Sequence, residues 1–347
     1  MLEFPAINDN VVNTDALARL GSLFRQSREE VCSRYSEWFY RYHADLYQHG
    51  VPFEVYVRKV RGIVEALGDA SCVLDVGAGF GVYSCLLRIL GVPRVVSMDY
   101  HREKCRDARI LVRELGLDGV HVIHGDALTF PLKPASVDGA LTLACLSHIR
   151  EPEAALKDLA RALRPGGRVY VFEDNNSSYP GYEKQMSKQW EAAETGNYDG
   201  VPDEKKQGES YLAMRREMIR KHLPKMSPEA VDYCAKETRG LYGKAILEAA
   251  AAHGRGEPIR NPRRHLTCHP VSGEFEEYPL NPVLVREMLE NAGFETRLRS
   301  PHDGPFRGRL AVLKALAAAA FRVCPPLLRW ASPTFAVVAT LRPGEGK

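Results

Sequence analysis

Glycines and carboxylates cluster where a short apolar segment gives way to a helix. Asp75 lies one residue before the end of the apolar segment at Val76, and Gly77, Gly79 and Gly81 follow before a helix that begins near Val82. Glycine lets the backbone turn sharply and lets a ligand approach main-chain atoms that a Cβ would shield. The nicotinamide dinucleotide fingerprint needs a third glycine at position 82. Valine stands there, so the spacing argues against a dehydrogenase.

The elements around this loop alternate between strands and helices. Strands are predicted at 72–76, 95–98, 120–124, 138–143, 168–173, 295–299 and 334–341, and the main intervening helices at 103–115, 152–163 and 282–291. This alternation predicts an α/β fold with a doubly wound, mostly parallel, seven-stranded sheet. Right-handed crossovers place ligands at the carboxyl ends of the strands.

Changes in sequence pattern divide the chain into four regions. Residues 1–52 are predicted to form an aromatic, helical lid, and residues 53–175 the cofactor-binding core. Residues 176–264 are polar and helical in pattern, which predicts an insertion that caps the sheet on the acceptor side. Residues 265–347 are predicted to complete the core.

Composition excludes several classes of function. The formal net charge of +3 gives no support for a nucleic-acid partner. The amino terminus lacks a signal-peptide pattern, so a cytoplasmic location is expected. The cysteines form no C-x-x-C pair. His265, Cys268 and His269 are of metal-ligand type, but no fourth ligand stands at regular spacing, and no metal site is predicted.

Four motifs in register resemble class I S-adenosylmethionine-dependent methyltransferases. The similarity is to the small-molecule type that includes the ubiquinone and menaquinone biosynthesis enzymes. The motifs are the D-x-G-x-G-x-G loop at 75–81, Asp99 at the end of the second strand, Gly125-Asp126-Ala127 followed by Phe130-Pro131, and the stretch from Ser136-Val137-Asp138-Gly139 to Pro165-Gly166-Gly167. The resemblance covers about residues 55–175, and more loosely 282–300 and the final strand. The long insertion departs from the quinone enzymes and leaves the acceptor open.

The resemblance implies S-adenosylmethionine as cofactor and S-adenosylhomocysteine as product. Asp99 would accept hydrogen bonds from the ribose hydroxyls, Asp126 from the adenine amino group, and Asp75 would interact with the ammonium group. The full set of predicted cofactor-binding residues is Asp75, Gly77, Ala78, Gly79, Gly81, Tyr83, Asp99, Tyr100, Asp126, Ala127, Leu143 and Ala144.

Catalytic candidates follow the fourth and fifth strands. A sulfonium is already activated, so alignment and water exclusion supply most of the acceleration, and a base is needed only to remove an acceptor proton. His148 is the first candidate base, with Glu173 and Asn175 on the same rim to orient an acceptor. The alternatives are a pocket-lining role for the histidine and solvated loop roles for the other two.

The apolar segment 309–330 has two interpretations. It is interrupted by Pro325-Pro326 and is too short to span a bilayer. It is either a core helix packed on the sheet or an interfacial helix in peripheral contact with a membrane or a lipidic substrate. The sequence is also compatible with a homodimer.

The function predicted from these features is methyl transfer to an oxygen or nitrogen of a small molecule, with lipid-linked, glycan or secondary-metabolite acceptors preferred. One alternative is a protein that binds S-adenosylmethionine without catalysis. The other is a nucleic-acid or protein methyltransferase, although Ala144-Cys145-Leu146-Ser147 replaces the N-P-P-[YF] loop of such enzymes.

Overall fold

The chain divides into two compact units in a computed structural model. The structure describes residues 12–45, 52–197, 199, 209–299, 311–324 and 327–344. Unit 1 comprises Met1–Leu146, Glu151–Asn176 and Asn281–Lys347, and unit 2 comprises Ser147–Arg150 and Ser177–Leu280. Residues 1–11 and 46–51 of the predicted lid, and 309–310 and 325–326 of the apolar segment, lie outside the described residues.

Unit 1 contains a seven-stranded sheet in the order β3-β2-β1-β4-β5-β7-β6. The strands are β1 (Cys72–Val76), β2 (Arg94–Asp99), β3 (Val120–His124), β4 (Val137–Leu143), β5 (Leu163–Glu173), β6 (Phe294–Arg299) and β7 (Phe335–Leu341). The first five are mutually parallel, and β7 runs antiparallel to both β5 and β6. The predicted doubly wound, mostly parallel seven-stranded sheet is therefore confirmed.

Burial explains why β1 reads as a continuous apolar run. All of its residues are buried, because helices cover both faces of a parallel sheet. The helices of unit 1 are α1 (Thr14–Leu23), α2 (Arg28–Cys32), α3 (Glu37–Phe39), α4 (Phe53–Leu67), α5 (Val82–Ile89), α6 (Arg102–Leu115), α7 (Pro152–Ala162), α12 (Pro282–Asn291), α13 (Ala311–Val323) and α14 (Leu328–Ala331); a π-helical turn, Tyr40–Asp45, follows α3. Helix α4 buries Tyr56, Val60 and Ile63, whose spacing forms one helical face.

Strand β5 begins earlier than the sequence predicted. Residues 164–167, between the predicted helix 152–163 and the predicted strand 168–173, lie inside β5, and the register with β4 shifts between Val137 and Gly139. Gly166 has a φ of +77°, and a Cβ on Gly167 would stand 2.8 Å from the Arg164 carbonyl oxygen. The proline and glycines therefore form a bulge within the strand rather than a turn before it.

The described residues of unit 2 form four helices and a short extended segment. The helices are α8 (Tyr182–Thr195), α9 (Tyr211–His222), α10 (Pro228–Glu237) and α11 (Lys244–Gly254). Ile219, Cys234 and Ile246 form the common core of α9, α10 and α11. Residues 265–280, assigned to the core on the sequence, pack within unit 2: the Phe275 amide donates to the His148 carbonyl (3.1 Å), and the Tyr278 amide to the Ser147 carbonyl (2.6 Å).

A buried ion pair joins two of these helices. Arg215 and Glu194 have side chains that are 1% and 6% exposed, and the guanidinium makes two hydrogen bonds to the carboxylate. Arg215 Nε also donates to the Ala235 carbonyl at 2.7 Å. Each buried charge therefore depends on its partner, since an unpaired charge in such surroundings is costly.

We predict that Arg215→Met destabilises the protein by about 3–5 kcal/mol, because Glu194 would lose its main buried partner. Urea unfolding followed by circular dichroism measures the change. Lys244→Met is the matched control, because Lys244 pairs with Glu248 at 2.9 Å with both side chains exposed, and it should leave the unfolding midpoint unchanged. Equal midpoints for the two variants would contradict the prediction.

Candidate cofactor-binding site

The glycine loop adopts a backbone conformation that other residues rarely reach. Gly77, Gly79 and Gly81 have φ values of +67°, +56° and +75°. A Cβ on Gly77 would stand 2.1 Å from Cys145 Sγ, and one on Gly81 would stand 2.9 Å from Ala108 Cβ. A Cβ on Gly79 would meet nothing within 4 Å. The loop is thus tightly packed at its ends and open at its centre.

Asp99 fastens this loop to the end of β2. Its Oδ2 accepts a hydrogen bond from the Gly79 amide at 2.8 Å, and its Oδ1 accepts one from the His101 amide at 2.8 Å. The Ala78 amide donates to the Met98 carbonyl, also at 2.8 Å. A carboxylate has about four lone-pair sites, so both oxygens can still accept from a diol.

Asp75 is a buried carboxyl group beneath the loop. It is 2% exposed, and its Oδ2 accepts a hydrogen bond from Ser84 Oγ at 2.6 Å. Burial raises the pKa of Asp75 to about 7, and the negative charge of Asp99 adds to this effect while the Ser84 hydrogen bond opposes it. A nearby cation would favour the ionised form.

Aromatic side chains of the amino-terminal segment pack on the loop. The rings of Phe39, Tyr42 and His43 lie 5.7, 5.9 and 5.6 Å from the ring of Phe80. Burial lowers the pKa of His43 to about 3, so this imidazole is neutral and acts as a packing group. Beyond β2, Tyr100 is 46% exposed.

After β3, Asp126 begins a local turn. Its Oδ1 accepts a hydrogen bond from the Leu128 amide at 2.9 Å, and it pairs with Thr129 in an isolated bridge. Asp126 and Ala127 are both half-buried. The turn thus fixes the carboxyl group, with one oxygen already engaged.

The ends of β4 and β5 are joined by two hydrogen bonds. The Ala144 amide donates to the Phe172 carbonyl at 2.8 Å, and the Leu146 amide donates to Glu173 Oε1 at 2.9 Å. Ala144, directly after Leu143, has a φ of +48°, which is strained for a residue with a Cβ. Glu173 is fully buried, and its hydrogen bond to the Leu146 amide supports this turn. Asn175 Nδ2 donates to Asp174 Oδ1 at 3.3 Å.

Lys59, which the sequence analysis did not single out, lies beside these residues. Its Nζ is 3.6 Å from the ring centroid of Phe172 and 5.4 Å from that of Tyr83. Burial lowers the pKa of Lys59 to about 8, although the charges of Asp174 and Glu173 oppose the shift. Lys59 lies on α4, before the first strand, and belongs to no sequence motif that would indicate a functional role. Only the packing of α4 against β5 reveals it.

His148 belongs to unit 2, where its ring is fixed by the segment 274–278. Its Nδ1 lies 2.7 Å from the Phe275 carbonyl oxygen, so Nδ1 donates and Nε2 carries the lone pair in the neutral ring. Burial alone would lower the pKa of His148, but the charge of Glu277, the Phe275 carbonyl and the charges of Glu274 and Glu276 together raise it above its usual value.

Two of the three residues of metal-ligand type, Cys268 and His269, make other contacts. Cys268 Sγ lies 3.6 Å from the Leu241 carbonyl oxygen, and His269 Nδ1 accepts from the Val271 and Ser272 amides at 3.3 and 3.2 Å. Within the described ranges, no group of three histidine, cysteine or acidic side chains is placed to hold a metal ion.

The site fits S-adenosylmethionine. The open space at Gly79, the buried Asp75 carboxyl and the acceptor Asp99 form a cradle at the carboxyl ends of β1 and β2, with backbone close enough for a ligand to reach. A doubly wound sheet with a glycine loop at the carboxyl ends of its strands is typical of proteins that bind nucleotide-type ligands.

Comparison with known proteins gives the family of this segment. Residues 74–171 match the family model described as "Methyltransferase domain". The segment is a class I methyltransferase domain of the kind that uses S-adenosylmethionine, which confirms the resemblance drawn from the four motifs.

Curated relatives match over about a third of the chain. A demethylmenaquinone methyltransferase of Clavibacter sepedonicus is 31% identical over 38% of this chain and 53% of its own length. An O-methyltransferase, cnsE, of Penicillium expansum is 32% identical over 31% of this chain and 39% of its own length. The chain thus spans about half or less of the curated relatives it matches. A solved structure of a putative S-adenosylmethionine-dependent methyltransferase from Listeria monocytogenes aligns with a TM-score of 0.46 at 14% identity, covering 83% of this chain and 99% of that one.

We predict that Gly77→Ala destabilises the protein more than Gly79→Ala. Both substitutions place alanine at positive φ, at a cost of about 1 kcal/mol. Only the Cβ at position 77 would collide with Cys145 Sγ, which adds about 1–3 kcal/mol. The urea midpoints of the two variants provide the test, and equal midpoints would show that the loop relaxes without cost.

Proposed function

We propose that this protein transfers the methyl group of S-adenosylmethionine to an oxygen or nitrogen atom of a small molecule. The observation that carries the proposal is the glycine loop held open beside Asp99 within the segment that matches the methyltransferase domain. When bound, the cofactor supplies an activated methyl group on a sulfonium. The chain's task is to hold it, align the acceptor and exclude water.

Charges at the sheet edge match the two ends of the methionine moiety. The Asp75 carboxyl, kept partly protonated by burial, gains a favourable partner in the ammonium group and in the sulfonium. We assign Lys59 to the cofactor's carboxylate, because a poorly solvated ammonium between Phe172 and Tyr83 gains from an anionic partner. Asp99 serves the ribose hydroxyls and Asp126 the adenine amino group.

His148 is proposed as the general base for the acceptor. Its Nδ1–H is committed to the Phe275 carbonyl, which leaves Nε2 to take a proton. The charges of Glu277, Glu274 and Glu276, which raise the pKa of His148, support this role because they would stabilise the imidazolium that forms. Glu173 and Asn175 are proposed to shape the rim after β5.

The acceptor is proposed to carry a hydroxyl or amino group on an apolar, lipid-linked or glycan scaffold. A base with a raised pKa suits an acceptor that must lose a proton as it is methylated. The names of the two relatives above, one acting on demethylmenaquinone and one an O-methyltransferase, favour an acceptor of this kind.

We predict that S-adenosylhomocysteine binds the wild type and that Asp99→Asn weakens binding by about 1–3 kcal/mol, the scale of a lost charged hydrogen bond. Isothermal titration calorimetry measures the affinities. Asp118→Asn, on an exposed loop, is the matched control and should bind like the wild type. Absence of binding to the wild-type protein would overturn the proposed function.

We predict that the methyl-transfer rate of the wild type falls as the pH drops through the raised pKa of His148, because the imidazolium cannot accept a proton. His148→Asn preserves an N–H donor near the Phe275 carbonyl but removes the base. It should lower kcat about 10²–10⁴-fold and abolish this acidic limb, with unchanged binding of S-adenosylhomocysteine.

Transfer of labelled methyl groups to a panel of phenols, alcohols and amines, followed across pH, measures this effect. An acidic limb that persists in His148→Asn would assign it to another group and remove His148 from the chemistry.

A further inference from the structure

Helix α13 presents apolar side chains to solvent. Val312, Leu313, Leu316 and Val323 are 74%, 63%, 62% and 87% exposed. The sequence analysis left this segment between a core helix and an interfacial helix, and these exposures are opposite to those of a core helix. Contiguous exposed apolar surface of this kind marks an interaction site.

The exposed residues follow helical spacing. Val312, Leu316, Ala319 and Val323 stand at intervals of four, three and four residues and are all exposed. Residues at these intervals share one face of a helix, so they form a continuous apolar stripe. We call this face the α13 stripe.

The charges of the surrounding segment point to an anionic surface. Residues 311–331 contain Lys314, Arg322 and Arg329 and no aspartate or glutamate. A second copy of the chain carries the same excess of positive charge in this segment and no carboxylate there to offset it. Anionic lipid headgroups provide the opposite charge.

The length and the aromatic composition of the segment suit a position on the membrane surface. Helix α13 has 13 residues, or about 20 Å. Among the helices in the described part of the chain, none is long and apolar enough to cross a membrane. Trp330, in α14, is 58% exposed, and tryptophan favours the headgroup level of bilayers.

We propose that the α13 stripe binds the surface of an anionic lipid bilayer, with the helix lying in the interfacial plane. Val312, Leu316 and Val323 enter the boundary between headgroups and acyl chains, and the basic residues of the segment add electrostatic attraction. This surface role is independent of the proposed methyl transfer.

The test is flotation of the full-length protein with vesicles of phosphatidylcholine alone and of phosphatidylcholine with phosphatidylglycerol. The wild type should float with the anionic vesicles, and added salt should weaken the association. In the double variant Leu316→Glu/Val323→Glu, the partition coefficient onto anionic vesicles should fall about tenfold or more, because two side chains that would enter the bilayer become charged. Val271→Glu, at a 62% exposed site in unit 2, is the matched control and should float like the wild type.

Two results would overturn the proposal. One is vesicle binding that the double variant retains in full. The other is a lack of vesicle binding by the wild type. Analytical ultracentrifugation then shows whether the wild type is monomeric or forms a dimer that the double variant cannot form, and either result contradicts the membrane proposal. Calorimetric binding of S-adenosylhomocysteine to the double variant shows that it is folded, and this measurement separates failure of the membrane proposal from failure of the proposed function.

Discussion

The attachment of the glycine loop to Asp99 is the interaction on which the rest of the site depends. Because the Gly79 amide donates to this carboxylate and the Ala78 amide to the Met98 carbonyl, the ends of β1 and β2 are held at one level. The positive φ values of the loop make this geometry available only to glycine at low cost. A ligand space beside backbone atoms follows from this arrangement, and so does the direct start of α5 from Gly81.

Burial determines the electrostatics of the same edge. Asp75 and Lys59 carry opposite formal charges, and in both cases burial favours the neutral form, with pKa values near 7 and 8. A ligand group of opposite charge would favour the charged form of each side chain. Because both side chains are already desolvated, they lose little further hydration when the ligand binds. A zwitterionic ligand segment therefore suits this edge better than a neutral one. His148 differs, because the carboxylates around it outweigh its burial.

Unit 2 shows how an insertion acquires its own core. Helices α9, α10 and α11 bury Ile219, Cys234 and Ile246 together, and the ion pair of Arg215 with Glu194 joins α9 to α8. Residues 147–150, which follow β4 in the chain, are held in this unit by backbone hydrogen bonds to the segment 275–278. A separate hydrogen bond, from His148 Nδ1 to the Phe275 carbonyl oxygen at 2.7 Å, orients the His148 ring.

The sequence by itself determined the alternation of strands and helices in the first half of the sheet, the glycine loop and the place of Asp99 at the end of β2, because apolar runs and glycine positions act within contiguous segments. The class of cofactor followed from the resemblance of the four motifs to a known family. The tertiary structure decided the rest. The contact of Lys59 with Phe172, the placement of 265–280 in unit 2 and the exposure of α13 depend on packing between segments that are distant in the chain. An apolar helix reads alike whether its face meets a core or solvent, so periodicity could not decide that question.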